Sequence, residues 1–182
     1  MSTNQYQIAP AHSSLQFSVR HLMMSNVRGT FTGVRGTVKF DPAQPERTTV
    51  EAEIDVNTIS TNDEKRDAHL KSADFLDAAQ FPHMIFRSTK VEKKGPNAYT
   101  LTGDLTLHGV TSPVTVEVEE VSEEGKDPWG NTRIGASAKA KLKRSDFGLT
   151  WNAPLETGGF LVGDDVKLDF ELEFVKAQSA AA

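Results

Sequence analysis

Two ionisable side chains stand where apolar strand faces run out. In LQFSVRHLMMSNVRGTF, residues 15–31, Leu15, Phe17 and Val19 alternate with polar neighbours, which is the period of a strand with one buried face. Counting on by two puts His21 on that face. In residues 134–142 the same count carries from Leu142 to Arg144. A charge inside apolar walls is costly unless it is paired, so Arg144 needs either an acid or a ligand. The acid would be Asp146 or an aspartate of the GDD at 163–165, and the ligand would offer an anionic or carbonyl head. An imidazole at such a rim titrates ordinarily near about 6.5 and suits general acid or base work; it equally suits the orientation of a ligand's polar tip. Leu22, Met23 and Met24 follow His21 where turn chemistry calls for polar residues and glycine. They read as an adaptable flap, Met being suited to irregular apolar contact. Phe147 and Trp151, close to Arg144 in sequence, supply rings to cap an opening.

Other chemistry lacks its residues. His12, His21, His69, His83 and His108 show no HExxH and no pair at metal-ligand spacing, so no metal is expected. With no cysteine there is no disulfide, thiol nucleophile or Cys-ligated zinc. No G-x-S-x-G elbow, P-loop or G-x-G-x-x-G precedes a helix, so hydrolase and nucleotide-binding readings have no support, and no cofactor is expected. Asp63, Asp67 and His69 sit on a charged helical stretch and are expected on a solvated face.

Strands must position His21 and Arg144, and strand alternation recurs almost throughout. Val27, Gly29 and Phe31 hold one phase and Val34, Gly36, Val38 and Phe40 the other, so the inward face switches near Gly33, as a bulge or bend in a closing barrel requires. Further runs cover 50–56, 84–91, 99–107, 114–118, 134–142 and 166–174, giving about eight strands. Turn signals separate them: DPAQPE, KKGPNA, LHGVTSP, KDPWGN and VGDD. Only 61–72 reads as helix, with Thr61 or Asn62 as N-cap. AQSAAA closes the chain as an unpatterned tail. The fold class is therefore all-β, an antiparallel barrel or sandwich of about eight strands with one short helix.

An eight-stranded barrel either fills with side chains or holds one small ligand. Ala136, Ala138 and Ala140 place methyl groups at successive inward positions, and Gly36, Ala52 and Gly103 add small ones. This lining leaves room for a ligand; in the alternative, Phe17, Phe40, Phe86 and Phe170 fill the space. A hollow barrel would line its channel with Phe17, Val19, Phe31, Phe40, Ile54, Phe86, Leu105, Leu107, Ala138 and Ala140, with His21 and Arg144 at the head. A filled one would leave an interaction module whose exposed 22–24 segment binds another surface.

The chain of 182 residues, 37% hydrophobic, suits one domain over 1–182. A net charge of -5 argues against nucleic acid as partner. Residues 1–40 nevertheless carry Arg20, Arg28, Arg35 and Lys39 and no acid, which suggests a locally positive end. No stretch approaches the apolar length of a membrane span, and the first fifteen residues lack the pattern of an export signal. A cytoplasmic location is expected, or a periplasmic one if a leader has been removed.

The order and spacing of several stretches resemble the YceI-like family of lipocalin-like, polyisoprenoid-binding proteins. These are HSSLQFSVRH with VRGTFTGVRGTVKFD, ISTNDEKRDAHLKSADFLDAAQFPHMIFRST, LTGDLTLHGVTSPVTVEV and RSDFGL, spread over nearly the whole chain. Ala9 stands near the place where the family commonly has an aspartate. The resemblance implies an elongated eight-stranded antiparallel, lipocalin-like barrel with one short helix, whose channel takes a long isoprenoid tail, from a polyprenyl phosphate or a prenylated quinone, with the head near the mouth. It also implies a homodimer and no established enzymatic activity; apart from the resemblance, no transmembrane segment and at most a transient membrane contact are expected. A prenyl- or quinone-modifying enzyme using His21 is the alternative.

Overall fold

The computed structural model describes residues 3–178. The alternating segments become β1 (Asn4–Ile8), β2 (Ser14–His21), β3 (Ser25–Phe31), β4 (Val34–Phe40), β5 (Thr49–Asp55), β6 (His83–Lys93), β7 (Tyr99–Leu107), β8 (Val110–Val121), β9 (Gly125–Lys126), β10 (Thr132–Lys143) and β11 (Val162–Lys176). Eleven strands make eight staves because three staves are interrupted, one of them where β8 gives way to β9 along β10. β1 and β2 lie along the same edge of β11, pairing with its C-terminal and N-terminal parts. The turn Pro10–His12 separates them, its proline lacking the N–H that a continuous ladder needs. β3 and β4 form the second broken stave, against β2 and β1 respectively. The barrel closes where residues 133–143 of β10 pair antiparallel with 165–175 of β11.

The break in the second stave falls at Gly33, where the sequence changes phase. Its carbonyl accepts from Asp55 N at 2.9 Å and its N–H donates to Thr58 Oγ1 at 3.1 Å. A Cβ on Gly33 would come within 2.8 Å of Thr58 Cγ2, so only glycine lets the segment after β5 approach so closely. Because that segment leaves the sheet, β3 keeps only a single bridge to it, Thr30 with Ser60. That leaves a gap beside β3, where Thr61 lies against Gly29, and the helical segment that follows turns Arg66, His69 and Leu70 toward the interior.

That helix, α1 (Glu64–Lys71), differs from the reading in its cap: Asp63 is the N-cap, its carboxylate accepting from Arg66 N at 3.0 Å. Thr61 is buried and bonded to Asp67 instead. At the opposite end of the barrel the Tyr6 hydroxyl donates to Glu124, which Lys176 also reaches. Burial first, and then the Glu124 carboxylate, push the Tyr6 phenol above its ordinary range. Of the tail AQSAAA, residues 179–182 lie outside the described residues.

Candidate ligand-binding tube

The inward faces of the staves enclose a cavity of about 420 Å³ lined almost wholly by apolar side chains. Along β11 the lining runs from Val166 through Leu168, Phe170 and Leu172 to Phe174, roughly 27 Å of strand. Ala52, Ala136, Ala138 and Ala140 face this space as expected. Gly103 and Gly29 do not open it: a Cβ on Gly103 would lie 2.4 Å from the Phe86 ring, and one on Gly29 would lie 2.3 Å from the Phe17 ring. The glycines seat aromatic rings flat against neighbouring strands, and Gly36 is likewise filled, by the β5 backbone.

The titratable lining groups other than Tyr99 gather at one end. Arg20, His21, Arg66, His69 and Arg144 line the tube, joined by a chain of contacts. The His69 and Trp151 ring centroids are 4.9 Å apart, Arg144 Nη1 donates to Trp151 O at 2.9 Å and Nη2 to Val162 O at 3.3 Å, and Val162 pairs with His21. This end is the mouth; Tyr99, Phe40, Thr48 and Val118 lie at the other.

Arg144 reaches the mouth but finds neither Asp146 nor an acid of the GDD as its hydrogen-bond partner. Each of its guanidinium nitrogens donates to backbone carbonyls: Nε to Gly163, Nη1 to Leu149 and Trp151, Nη2 to Val162. The residue is 6% exposed. Burial pulls its pKa below the ordinary arginine value, and the nearby Asp164 charge offsets part of that. Burial works to raise the Asp164 carboxyl, but hydrogen bonds from Ser145 and the charges of Arg144 and Lys143 hold it below the usual carboxylate range. Arg144 is thus the tie that folds residues 149–163 over the mouth.

Three polar groups that sequence reading did not assign to the site line its mouth. Arg20 donates through Nη2 to Met23 O at 3.1 Å, and no other bond engages it among the described residues. Arg66 donates through Nε and Nη2 to Thr61, leaving Nη1 uncommitted among the described residues. His69 sits edge-on between Phe75 and Trp151 with Nε2 2.8 Å from Asp74 Oδ2; it lines the mouth while its side chain stays 41% exposed, so the solvated position expected of it is also the rim of the tube. Asp67, also read as solvated, holds the Thr61 backbone and hydroxyl. The available signal was the spacing Arg66, His69, Leu70, which puts three residues on one helical face.

Phe17, Val19, His21, Phe31, Phe40, Ile54, Phe86, Leu105, Leu107, Ala138, Ala140, Arg144 and Trp151 all line the tube. Phe147 and Met23 do not. Phe147 turns into the core at 1% exposure, because the short turn Arg144–Phe147 rotates it away from Arg144. Met23 lies outside on the hairpin tip. Among the described residues no group of three His, Asp or Glu could hold a metal ion.

Thr48 carries a defect. Its Oγ1 is buried without a hydrogen-bond partner. Thr48→Val keeps the shape and removes the orphan hydroxyl, so it is expected to stabilise the fold by about 1 kcal/mol, read as a higher urea midpoint at constant m.

A closed antiparallel barrel with an apolar bore and polar groups at one mouth belongs to the class of lipocalin-like barrels. The YceI-like domain model matches residues 6–174, and the chain belongs to that family. Protein YceI of Salmonella newport (strain SL254) is 43% identical over 139 residues, 76% of this chain and 72% of that protein. The crystal structure of Burkholderia cenocepacia BcnA superposes with a TM-score of 0.79 at 26% identity, covering 91% of this chain and 98% of that one. A polyisoprenoid binding domain from Saccharophagus degradans, implicated in plant cell wall breakdown, superposes with a TM-score of 0.67 at 15% identity over 94% and 98% of the two chains.

Proposed function

We propose that this protein holds an isoprenoid lipid, tail in the bore and head at the mouth, as a carrier or store rather than an enzyme. The observation that carries this reading is the segregation of the lining: apolar from Val166 to Phe174, with Arg20, His21, Arg66 and His69 gathered at one end. The name of the Saccharophagus degradans domain supports the ligand class.

Burying the tail cannot by itself set selectivity. Each CH2 gains about 0.8 kcal/mol on leaving water, but the lipid's alternative home is a bilayer, where that gain is already made. Head contacts, shape and length therefore decide what is held. With uncommitted guanidinium nitrogens on Arg20 and Arg66, the mouth favours an anionic head such as a prenyl phosphate over a neutral quinone. The His21 ring has no hydrogen-bond partner among the described residues, so no neighbour is placed to relay a proton through it, which fits holding better than turnover.

Organic extraction of the purified protein followed by mass spectrometry is expected to give a prenylated lipid near one per chain. In a refilling titration followed by Trp151 fluorescence, a polyprenyl phosphate should bind about tenfold more tightly than the matching polyprenol, and Arg20→Gln with Arg66→Gln should erase the difference. A protein that extracts clean and takes up neither lipid overturns the reading.

A further inference from the structure

The β2–β3 hairpin breaks a local rule at a cost to the fold. His21, Leu22, Met23 and Met24 form a tight turn closed by Met24 N donating to His21 O at 3.1 Å. Its central residues, Leu22 at φ +53° and Met23 at φ +58°, both lie in the left-handed region. A turn with two such residues calls for Asn-Gly or Asp-Gly; a branched Leu and a long Met are strained there. Burial does not compensate the strain, for Leu22 is 36%, Met23 60% and Met24 76% exposed. Strain without burial marks a segment shaped for something outside the chain.

The tip does not stand alone. Leu22 N donates to Leu161 O at 2.9 Å, and the Met23 thioether lies so close over Gly159 that a Cβ there would meet Sδ at 2.3 Å. Phe160, between those two anchor points, is itself 60% exposed. The next residues, Leu161 and Val162, turn inward and line the bore. A continuous apolar surface thus runs from the outside of the tip over Phe160 into the tube.

We propose that Leu22, Met23, Met24 and Phe160 form a membrane-docking lip that sets the mouth of the barrel on a bilayer containing anionic lipid. The proposal rests on the reading of the bore as a lipid site and adds how the lipid reaches it: a tail that slides along this surface never crosses water. Charge selects an anionic surface over a neutral one, and the exposed apolar tip between the arginines selects a bilayer, which it can enter, over an acidic protein surface. Arg20 and Arg28 flank the tip with no ion pair among the described residues, and residues 1–40 contain no acid. The acids of the adjoining loop are Glu156, which is exposed, Asp164, held by Ser145, and Asp165, paired with Lys141 at 3.1 Å. An interfacial segment of this kind, apolar with flanking arginines, binds most strongly to anionic headgroups.

Flotation with phosphatidylcholine vesicles carrying about 30% phosphatidylglycerol, against phosphatidylcholine alone, tests the lip. The wild type is expected to float with the anionic vesicles and to be released by salt. The variant Leu22→Asn with Met23→Gly installs the residues the turn geometry favours, so it should melt higher than wild type yet lose vesicle binding by about tenfold. Phe160→Ser and Arg28→Gln should each weaken binding with extractable lipid unchanged. Floating of the double variant like wild type overturns the proposal. So does a wild type that ignores anionic vesicles, or a wild-type oligomer that the double variant converts to monomer, which would make the patch an interface between copies. An empty bore in a protein that still floats sinks the lipid-holding reading alone and supports docking.

Discussion

Arg144→Met is expected to destabilise the protein by about 3 kcal/mol or more, and Arg144→Lys by nearly as much. The guanidinium donates to four carbonyls, of Leu149, Trp151, Val162 and Gly163, from a position only 6% exposed. Methionine matches its length but removes the donor from those carbonyls; Val162 O keeps a second one, Asn152 Nδ2 at 2.7 Å. A lysine ammonium is a point donor and cannot span carbonyls presented from two separate strands of backbone. Urea unfolding should show the midpoint falling at constant m. A wild-type midpoint combined with lost lipid would instead make Arg144 a head-group ligand, the role its position at the end of an apolar face first suggested.

That ambiguity shows what a sequence carries and what it leaves out. The strands were legible because one buried face imposes a period of two, and the switch of phase at Gly33 located the kink in the second stave. β1 was not, since Tyr6 and Ile8 are too few apolar positions to make a pattern. The period also placed His21 and Arg144 on the bore. It could not supply their partners, because those come from elements remote in sequence: the carbonyls that engage Arg144 lie as far along the chain as Gly163.

The helix was harder to read for a related reason. α1 has almost no apolar face, so its charges suggested solvent on every side. Its place is set by the gap beside β3, which exists only because the segment after β5 leaves the sheet. The helix that follows turns Arg66 and His69 to the mouth. Thr61 serves both ends of the arrangement: its hydroxyl donates to Asp67 at 2.6 Å and accepts from Arg66 Nε at 2.7 Å, fixing the arginine over the opening. The mouth's electrostatics therefore depend on a sheet defect rather than on any motif.

The bore itself is best tested by filling it. Ala140→Trp puts an indole where a methyl faces the cavity, between Val116 and Leu168 on the neighbouring strands. Ala138→Trp does the same two residues away, beside Val118 and Phe170. In a close-packed interior an insertion of this size forces neighbours off their rotamers and costs about 3 kcal/mol or more. In a hollow one the ring enters space that a lipid tail otherwise occupies, and the barrel loses little. The expected result is a urea midpoint within about 1 kcal/mol of wild type together with about a hundredfold weaker lipid retention. Both readouts are needed, because they move in opposite ways under the two pictures. Severe destabilisation would mean that the alanines are packed against solid core, and unchanged retention in a stable variant would mean that the lipid tail never passes this level of the barrel.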